Sequence, residues 1–427
     1  MRTSFYEKRL LAMLLAVSAA GCAEKTSSEP QTAEVHVPAE TVGTALPKSE
    51  PRVVQGATIN PPTTAGPQVA APEVLSVACD LASQDPSVII DEASSRYRVG
   101  NFVQAFACAR MAVDLAPQAV AAHHLQAAAL TGLARYEEAQ VAFAMALALD
   151  PDDPETLADV ADFYINILPP KSRDALLVGL QYARRGGGRA ATGRRYDAGL
   201  QARLLLLEAE ALNDLGQSDL ALPRAEEALE RVPGIQGAEH ERAVSLFRLL
   251  RFEESEQAFL RVLAHRPDDA YAHHHLGLLY ERAGRVADAE AHMLRAPSEF
   301  PEPVVVSVED FRAELDLAIA ELEPELRKLL ALAMLEVEDL PSIDDLSASE
   351  PPFSPTILGL YRGLPAGVDP TSTSATPKRA VVLYRLNLSR ASTSRSELNR
   401  QIRHTLRHEI GHLQGYDEDE LRRRGLE

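Results

Sequence analysis

The chain has 427 residues, 46% of them apolar, enough for two or three domains with real cores. A net charge of −19 argues against a phosphate-binding surface as the main business of the protein, so nucleic acid is set aside as a partner. With 5% aromatics, no Trp and abundant Ala, Leu, Arg and Glu, an all-β architecture is excluded, and three cysteines, Cys22, Cys79 and Cys108, are too few for a disulfide scaffold.

At the start of the chain Arg2, Lys8 and Arg9 precede the apolar run Leu10 to Val17, which is followed by the small residues Ser18, Ala19, Ala20 and Gly21 directly before Cys22. The run is about half the ~20 residues a membrane-spanning helix needs. The pattern resembles a bacterial lipoprotein signal over residues 1–22, with Cys22 as the lipidated residue. That resemblance implies an anchor in the cell envelope, and Ala23 in place of Asp after the cysteine implies the outer membrane, with the body outside the cytoplasm. Residues 23–75, rich in Pro, Thr, Ser and Gln without apolar periodicity, read as a disordered tether. In an oxidising compartment Cys79 and Cys108 either pair or stay as isolated thiols.

From about residue 76 to 302 a 34-residue ruler runs through the chain: Pro117, Pro151, Pro233, Pro267 and Pro301 are spaced by 34, 82, 34 and 34. The long gap predicts one divergent unit with an insertion around Arg184 to Arg195. Ala105 and Ala112, Ala139 and Ala146, Ala221 and Ala228, and Ala289 and Ala296 hold one register before the prolines, so paired helices can approach closely. Gly132, Gly216 and Gly284 mark the expected turn inside each hairpin. Ser255 and Val262 stand where one unit would carry alanines. This stretch resembles tetratricopeptide repeats in about six units, with Gly277, Tyr280, Gly284, Ala289, Ala296 and Pro301 on the pattern positions. The resemblance implies a curved solenoid that binds protein or peptide partners. The adjacent histidines His123–His124 and His273–His275 do not read as a metal site, because consecutive helical residues diverge by about 100°. A weakly basic helix surface is the expectation there.

After Pro301 the ruler stops. Ser307 caps a helix with the stripe Val308, Phe311, Leu315 and Ile319, the helical pattern continues to about Ala331, and the β-prone segments "LAMLEVED", "TILGLYRG" and "RAVVLYR" follow. The last helix starts near Ser394 or Ser396. Leu398, Ile402, Leu406, Ile410 and Leu413 form its inward face, and Gly415 ends it. His408 and His412, four apart, lie one above the other, so both can reach one ion, with Glu409 beside them. A catalytic zinc needs a third ligand. Glu418, ten residues after His408, fills that place in the extended pattern, with Asp417 and Asp419 as alternatives; His404 reads as a rim residue.

Residues 303–427 resemble the small bacterial zincin-like metallopeptidases, through Leu358-Gly359-Leu360-Tyr361 with Gly363, Leu383-Tyr384-Arg385 with Asn387-Leu388, and Ile402-Arg403-His404-Thr405-Leu406 leading into His408. Gln414 and Glu418 depart from the family's usual residues. The whole chain is therefore expected to be mostly α: a tetratricopeptide-repeat α-solenoid followed by a small α+β zincin-like domain. The resemblance implies one Zn²⁺ on His408, His412 and an acid, with Glu409 as general base in peptide-bond hydrolysis. Leu383, Tyr384 and Arg385 are the expected substrate-pairing strand, provided that it lies at a sheet edge. The alternative function is a scaffold in which the zinc site is structural or vestigial.

Overall fold

The computed structural model describes residues 77–192, 197–296, 304, 307–366 and 378–426. The signal-like segment with Cys22 and the expected tether lie outside the described residues. Among the described residues no helix is long and apolar enough to cross a membrane.

Among the described residues twelve helices come first, paired into hairpins: α1 (Pro86–Arg98) with α2 (Phe102–Leu115), α3 (Val120–Gly132) with α4 (Tyr136–Leu149), and α5 (Pro154–Asp162) with α6 (Arg173–Thr192). They continue with α7 (Ala198–Asp214) and α8 (Ser218–Arg231), α9 (Ala238–Arg248) and α10 (Phe252–His265), and α11 (Ala270–Arg282) and α12 (Val286–Met293). Side-chain caps start many of them: Asp85, Asn101, Asp153, Asp197 and Asp269 each accept a hydrogen bond from an otherwise unpaired first-turn N–H. The register alanines 105, 112, 139, 146, 221, 228, 289 and 296 are all buried. Ser255, on an alanine position, satisfies its buried hydroxyl by donating to the Ala243 carbonyl at 2.9 Å.

The backbone repeats the proline ruler. Residues 100, 134, 216, 250 and 284 all take positive φ in the turn within a hairpin, spaced by 34, 82, 34 and 34. At 134 and 250 these are Ala and Leu, which adopt the left-handed conformation at a cost of about 1–2 kcal/mol each. Gly132 is not the turn residue that its place in the sequence suggests. It ends α3, where a Cβ would stand 2.6 Å from the Phe102 ring, so close packing explains it. The extra length between Pro151 and Pro233 is spread more widely than the Gly/Arg-rich stretch. It includes a π-helical turn, Phe163–Ile167, and α6, which at 20 residues is six longer than α2 or α4.

The histidine runs are not a basic surface. His123 and His273, six residues after Pro117 and Pro267, bond to those proline carbonyls through Nε2 at 3.0 and 2.9 Å. The His275 ring stacks on Phe259 at 4.8 Å, and burial, then the neighbouring His240, pushes its pKa down to about 3. His275 is thus neutral core material, whereas Asp159, 2.6 Å from His124 Nε2, raises the pKa of that imidazole against its burial.

Cys79 and Cys108 form a disulfide that ties the segment before α1 to the buried face of α2, among Ile89, Ala93, Ala109 and Ala112. Closing a loop over a separation of 29 residues restricts the unfolded chain by about 3–4 kcal/mol. Denaturant unfolding with and without reductant should show a loss of that order, and the Cys79→Ser/Cys108→Ser protein should be insensitive to reductant.

The C-terminal part is a three-stranded sheet with helices on one face. α13 (Val308–Ala320) is capped by Ser307, whose Oγ accepts from the Asp310 N–H at 3.0 Å. The single long helix expected here breaks before Pro324, and α14 (Pro324–Leu330) begins with that proline at its first turn. Then come β1 (Met334–Glu338), α15 (Ile343–Leu346), β2 (Gly359–Arg362), β3 (Ala380–Tyr384), α16 (Arg385–Arg390), α17 (Arg395–Leu413) and α18 (Glu418–Arg423). The sheet order is β1-β3-β2, with β1 parallel and β2 antiparallel to β3. Val381 and Leu383 of β3 face a core with Phe311, Leu315, Leu398, Ile402, Leu406 and Ile410. Ala380, Val382 and Tyr384 face the opposite side, against Leu346, Phe353 and Ile357.

This order corrects one expectation. β3 carries Leu383 and Tyr384 and is the central strand, with neighbours bonded along both sides and every residue buried. It has no free edge for a substrate. Leu383 and Tyr384 are core residues, and Arg385 donates from Nε to Asp339 at 2.5 Å.

The solenoid and the sheet share a core. Leu250, at the left-handed turn between α9 and α10, packs against the Leu346, Phe353 and Tyr384 cluster. Beside it, Arg282 of α11 donates both terminal nitrogens to the Pro341 carbonyl at 2.7 and 2.6 Å, and Arg390 pairs with Glu281. Leu250→Ala should cost about 1–3 kcal/mol by uncovering this apolar surface. Amide hydrogen exchange in β3 should accelerate although the substitution lies more than a hundred residues away in sequence.

Candidate metal centre

Ser394 caps α17 by accepting from the Glu397 N–H, and the helix buries Leu398, Ile402, Leu406, Ile410 and Leu413 against the sheet core. Once that stripe is inside, the spacing of four carries His408 and His412 to one spot at the helix margin. Their Nε2 atoms lie 3.2 Å apart. Each ring is held from its other nitrogen by a backbone carbonyl: His408 Nδ1 bonds to Leu426 O at 2.7 Å and His412 Nδ1 to Tyr416 O at 2.9 Å. A carbonyl only accepts, so both Nδ1 atoms carry the proton, and in the neutral rings both Nε2 lone pairs point toward one another. Two lone pairs so placed repel unless a cation lies between them.

The third donor is Glu418, at the start of α18. Its Oε1 stands 3.4 Å from His412 Nε2 and 3.7 Å from His408 Nε2, and its Oε2 is buried with no hydrogen-bond partner. A tetrahedral zinc with bonds of 2.0–2.1 Å has ligand-to-ligand edges of about 3.3–3.4 Å. The three separations therefore fit such an ion, and the donor set of two imidazoles and a carboxylate suits it chemically. The other acids are engaged elsewhere: Asp417 caps α18 by accepting from the Glu420 N–H at 2.8 Å, and Asp419 is exposed and pairs with Arg422 at 2.6 Å. Among the described residues one other cluster has metal-ligand composition, Cys79, Asp80 and Cys108, but its two sulfurs are bonded to each other.

The charges of these side chains depend on one another. Burial pushes His408 down, but the nearby carboxylates of Glu418 and Glu409 outweigh it and hold the pKa up at about 9. Burial opposes ionisation of Glu418 as well, yet the two histidines hold it down at about 2. His412 is raised by the same carboxylates against its burial. Glu409 is 5% exposed, and burial raises its pKa against the lowering pull of the two imidazoles. Its carboxylate also accepts the Tyr361 backbone N–H from β2. His404, one turn earlier, is half-buried and makes no part of the donor triangle.

Residues 330–426 match the zincin-like metallopeptidase family, and residues 240–302 match a tetratricopeptide repeat family. The C-terminal part of this chain is a zincin-like metallopeptidase domain. It follows a tetratricopeptide-repeat region. Similar solved structures include PilF of Pseudomonas aeruginosa, 15% identical, covering 54% of this chain and 97% of that one at a TM-score of 0.44. PilW, a widely conserved type IV pilus biogenesis factor, is 19% identical over 52% of this chain and 97% of its own, also at 0.44. YrrB, a repeat protein with an unusual peptide-binding site, is 18% identical over 45% and 93%, at 0.35. No curated protein matches the chain.

Two features of the zincin-like domain were not singled out by reading the sequence. β2, not β3, lies over the centre, and Gly359 lets it do so. A Cβ there would stand 2.6 Å from Thr405 Cγ2, 3.0 Å from the Val382 carbonyl and 3.2 Å from Glu409 Oε1. Gly411, between the two histidines, leaves room for Leu421, which would otherwise collide at 2.3 Å and which holds α18 against α17. The motif around Gly359 was visible in the sequence, but its contact with α17 spans about fifty residues and no local pattern reports it. Gly359→Ala should cost about 1–3 kcal/mol through overpacking. It should displace the Glu409 carboxylate and leave the three donors in place, so thermal unfolding should come earlier while zinc uptake, read by elemental analysis, stays equal to that of the wild type.

Proposed function

We propose that this chain is a zinc-dependent peptidase of the cell envelope, anchored through lipidated Cys22, whose repeats bind protein or peptide partners and present them to the C-terminal domain. The observation that carries the reading is a buried carboxylate, Glu409, standing beside three donors, His408 Nε2, His412 Nε2 and Glu418 Oε1, whose separations suit one zinc ion. A scaffold with a purely structural metal has no use for a buried base at this place.

His408, His412 and Glu418 would hold the ion, leaving a fourth position open. Zinc, when bound, supplies a Lewis acid that lowers the pKa of water towards ~7 and polarises a peptide carbonyl. Glu409 takes the water's proton and returns it to the leaving amine, for which a carboxylate pKa raised by burial is suited. The Tyr361 N–H holds this carboxylate in place while it exchanges the proton.

Substrate would lie along the outer edge of β2, with which no strand pairs among the described residues. The Tyr384 N–H donates to Leu358 O, so in the antiparallel ladder residues 360 and 362 bond to β3, while the backbone groups of Gly359 and the Tyr361 carbonyl turn away from it and the Tyr361 N–H is taken by Glu409. An extended peptide pairing there runs beside Glu409. The Cys79–Cys108 disulfide supports a location outside the cytoplasm, where such bonds persist.

The test is cleavage of unfolded protein and peptide pools by the wild type, the chelated protein and Glu409→Gln. Chelation should abolish cleavage and zinc restore it. Glu409→Gln should retain its zinc and lose about 10²–10⁴ in kcat/KM. Wild-type protein with one zinc per chain and no cleavage of any pool would leave the scaffold reading in place instead.

A further inference from the structure

We propose that α18 is a clip that grips the His408 imidazole from both sides, and that the Leu426 backbone carbonyl is the positioning group that fixes this ring for metal binding. The inference rests on the reading that His408, His412 and Glu418 form the metal centre.

The two histidines are oriented in different ways. His412 Nδ1 is held by Tyr416 O, four residues on, in the turn that ends its own helix, where Gly415 takes φ +88°. His408 has no such local partner. Its Nδ1 donates to Leu426 O, 18 residues later, at 2.7 Å, toward the short end of the range for such bonds. The path between them is short and fully bonded. Leu421 is buried against Gly411 and pins the middle of α18 to α17. At the front of α18, Glu418 reaches the Nε2 side of the rings. At its back the helix closes in a Schellman turn: the Leu426 N–H donates to Leu421 O and the Gly425 N–H to Arg422 O, both at 3.0 Å, with Gly425 at φ +69°. That left-handed step turns the chain so that the next carbonyl meets His408.

One helix of six residues thus sets both faces of a single ligand, with Glu418 on the coordinating nitrogen and Leu426 O on the opposite one. A backbone carbonyl or carboxylate behind a metal-binding imidazole typically contributes 10- to 100-fold to metal affinity. Removal of the residues behind Arg424 should therefore loosen His408 selectively, because His412 keeps its own partner.

The experiment compares the full chain with a version ending at Arg424, with Gly425→Val, which disfavours the left-handed turn, and with Gly425→Asn, which tolerates it. Zinc affinity, measured by competition with a chelating dye, should fall about 10- to 100-fold in the first two and stay within about threefold of wild type in Gly425→Asn. In metal-free protein with ¹⁵N-labelled histidine, the His408 Nδ1–H should lose its protection from solvent exchange in the same two variants while that of His412 is retained. Unchanged zinc affinity in both, or equal loss of protection at the two histidines, overturns the clip. Failure of the wild type to bind zinc would instead remove the underlying reading, and the exchange measurement would still decide whether Leu426 holds the ring.

Discussion

The C-terminal domain is organised around two imidazole nitrogens facing one another at 3.2 Å in a half-buried site. Left alone, this contact is repulsive, and each surrounding element keeps the rings in it. The apolar stripe of α17 fixes the helix rotation, the Leu426 and Tyr416 carbonyls fix the tautomers, and Glu418 balances the charge. A protein can hold such an arrangement only if something positive completes it, a proton in the metal-free state or a divalent ion when one is present. The elevated pKa of His408 and the depressed one of Glu418 are two expressions of that same demand.

How far this was legible in the sequence depends on how local each feature is. The histidine pair, its companion glutamate and the burying stripe of α17 all arise from the helical period within twenty residues, and they can be read directly. So can the 34-residue ruler, which reappears in the backbone as a left-handed residue at 100, 134, 216, 250 and 284. Features set by distant chain segments could not be read this way. The central place of β3 depends on β1 and β2, although its unbroken apolar run was a signal for a strand buried on both faces rather than an edge. The histidine runs looked basic because charge is a property of composition, whereas burial beside Phe259 holds His275 neutral and the proline carbonyls take up the His123 and His273 rings as hydrogen-bond partners. Leu426 acts through its main chain, so its side-chain identity carries no trace of its role.

Gly359 and Gly411 illustrate a division of labour around the histidine pair. One removes a side chain so that β2 can approach Glu409, and the other so that α18 can approach the histidines. Both contacts bring backbone or apolar groups against a polar centre. Glu409 and His408 are consequently buried by packing, and the electrostatic interactions around them are strengthened.

Leu250 sits on a turn that every regular hairpin shares, yet it alone of that series reaches into the sheet's core. The contacts of Leu250, Arg282 and Glu281 with the zincin-like domain come from the α9–α10 turn and from α11. Whole 34-residue modules gained or lost upstream of Ala238 would change the length of the solenoid and leave these contacts in place. A single generic unit, altered at one turn, is enough to supply the apolar contact between the repeat array and the zincin-like domain.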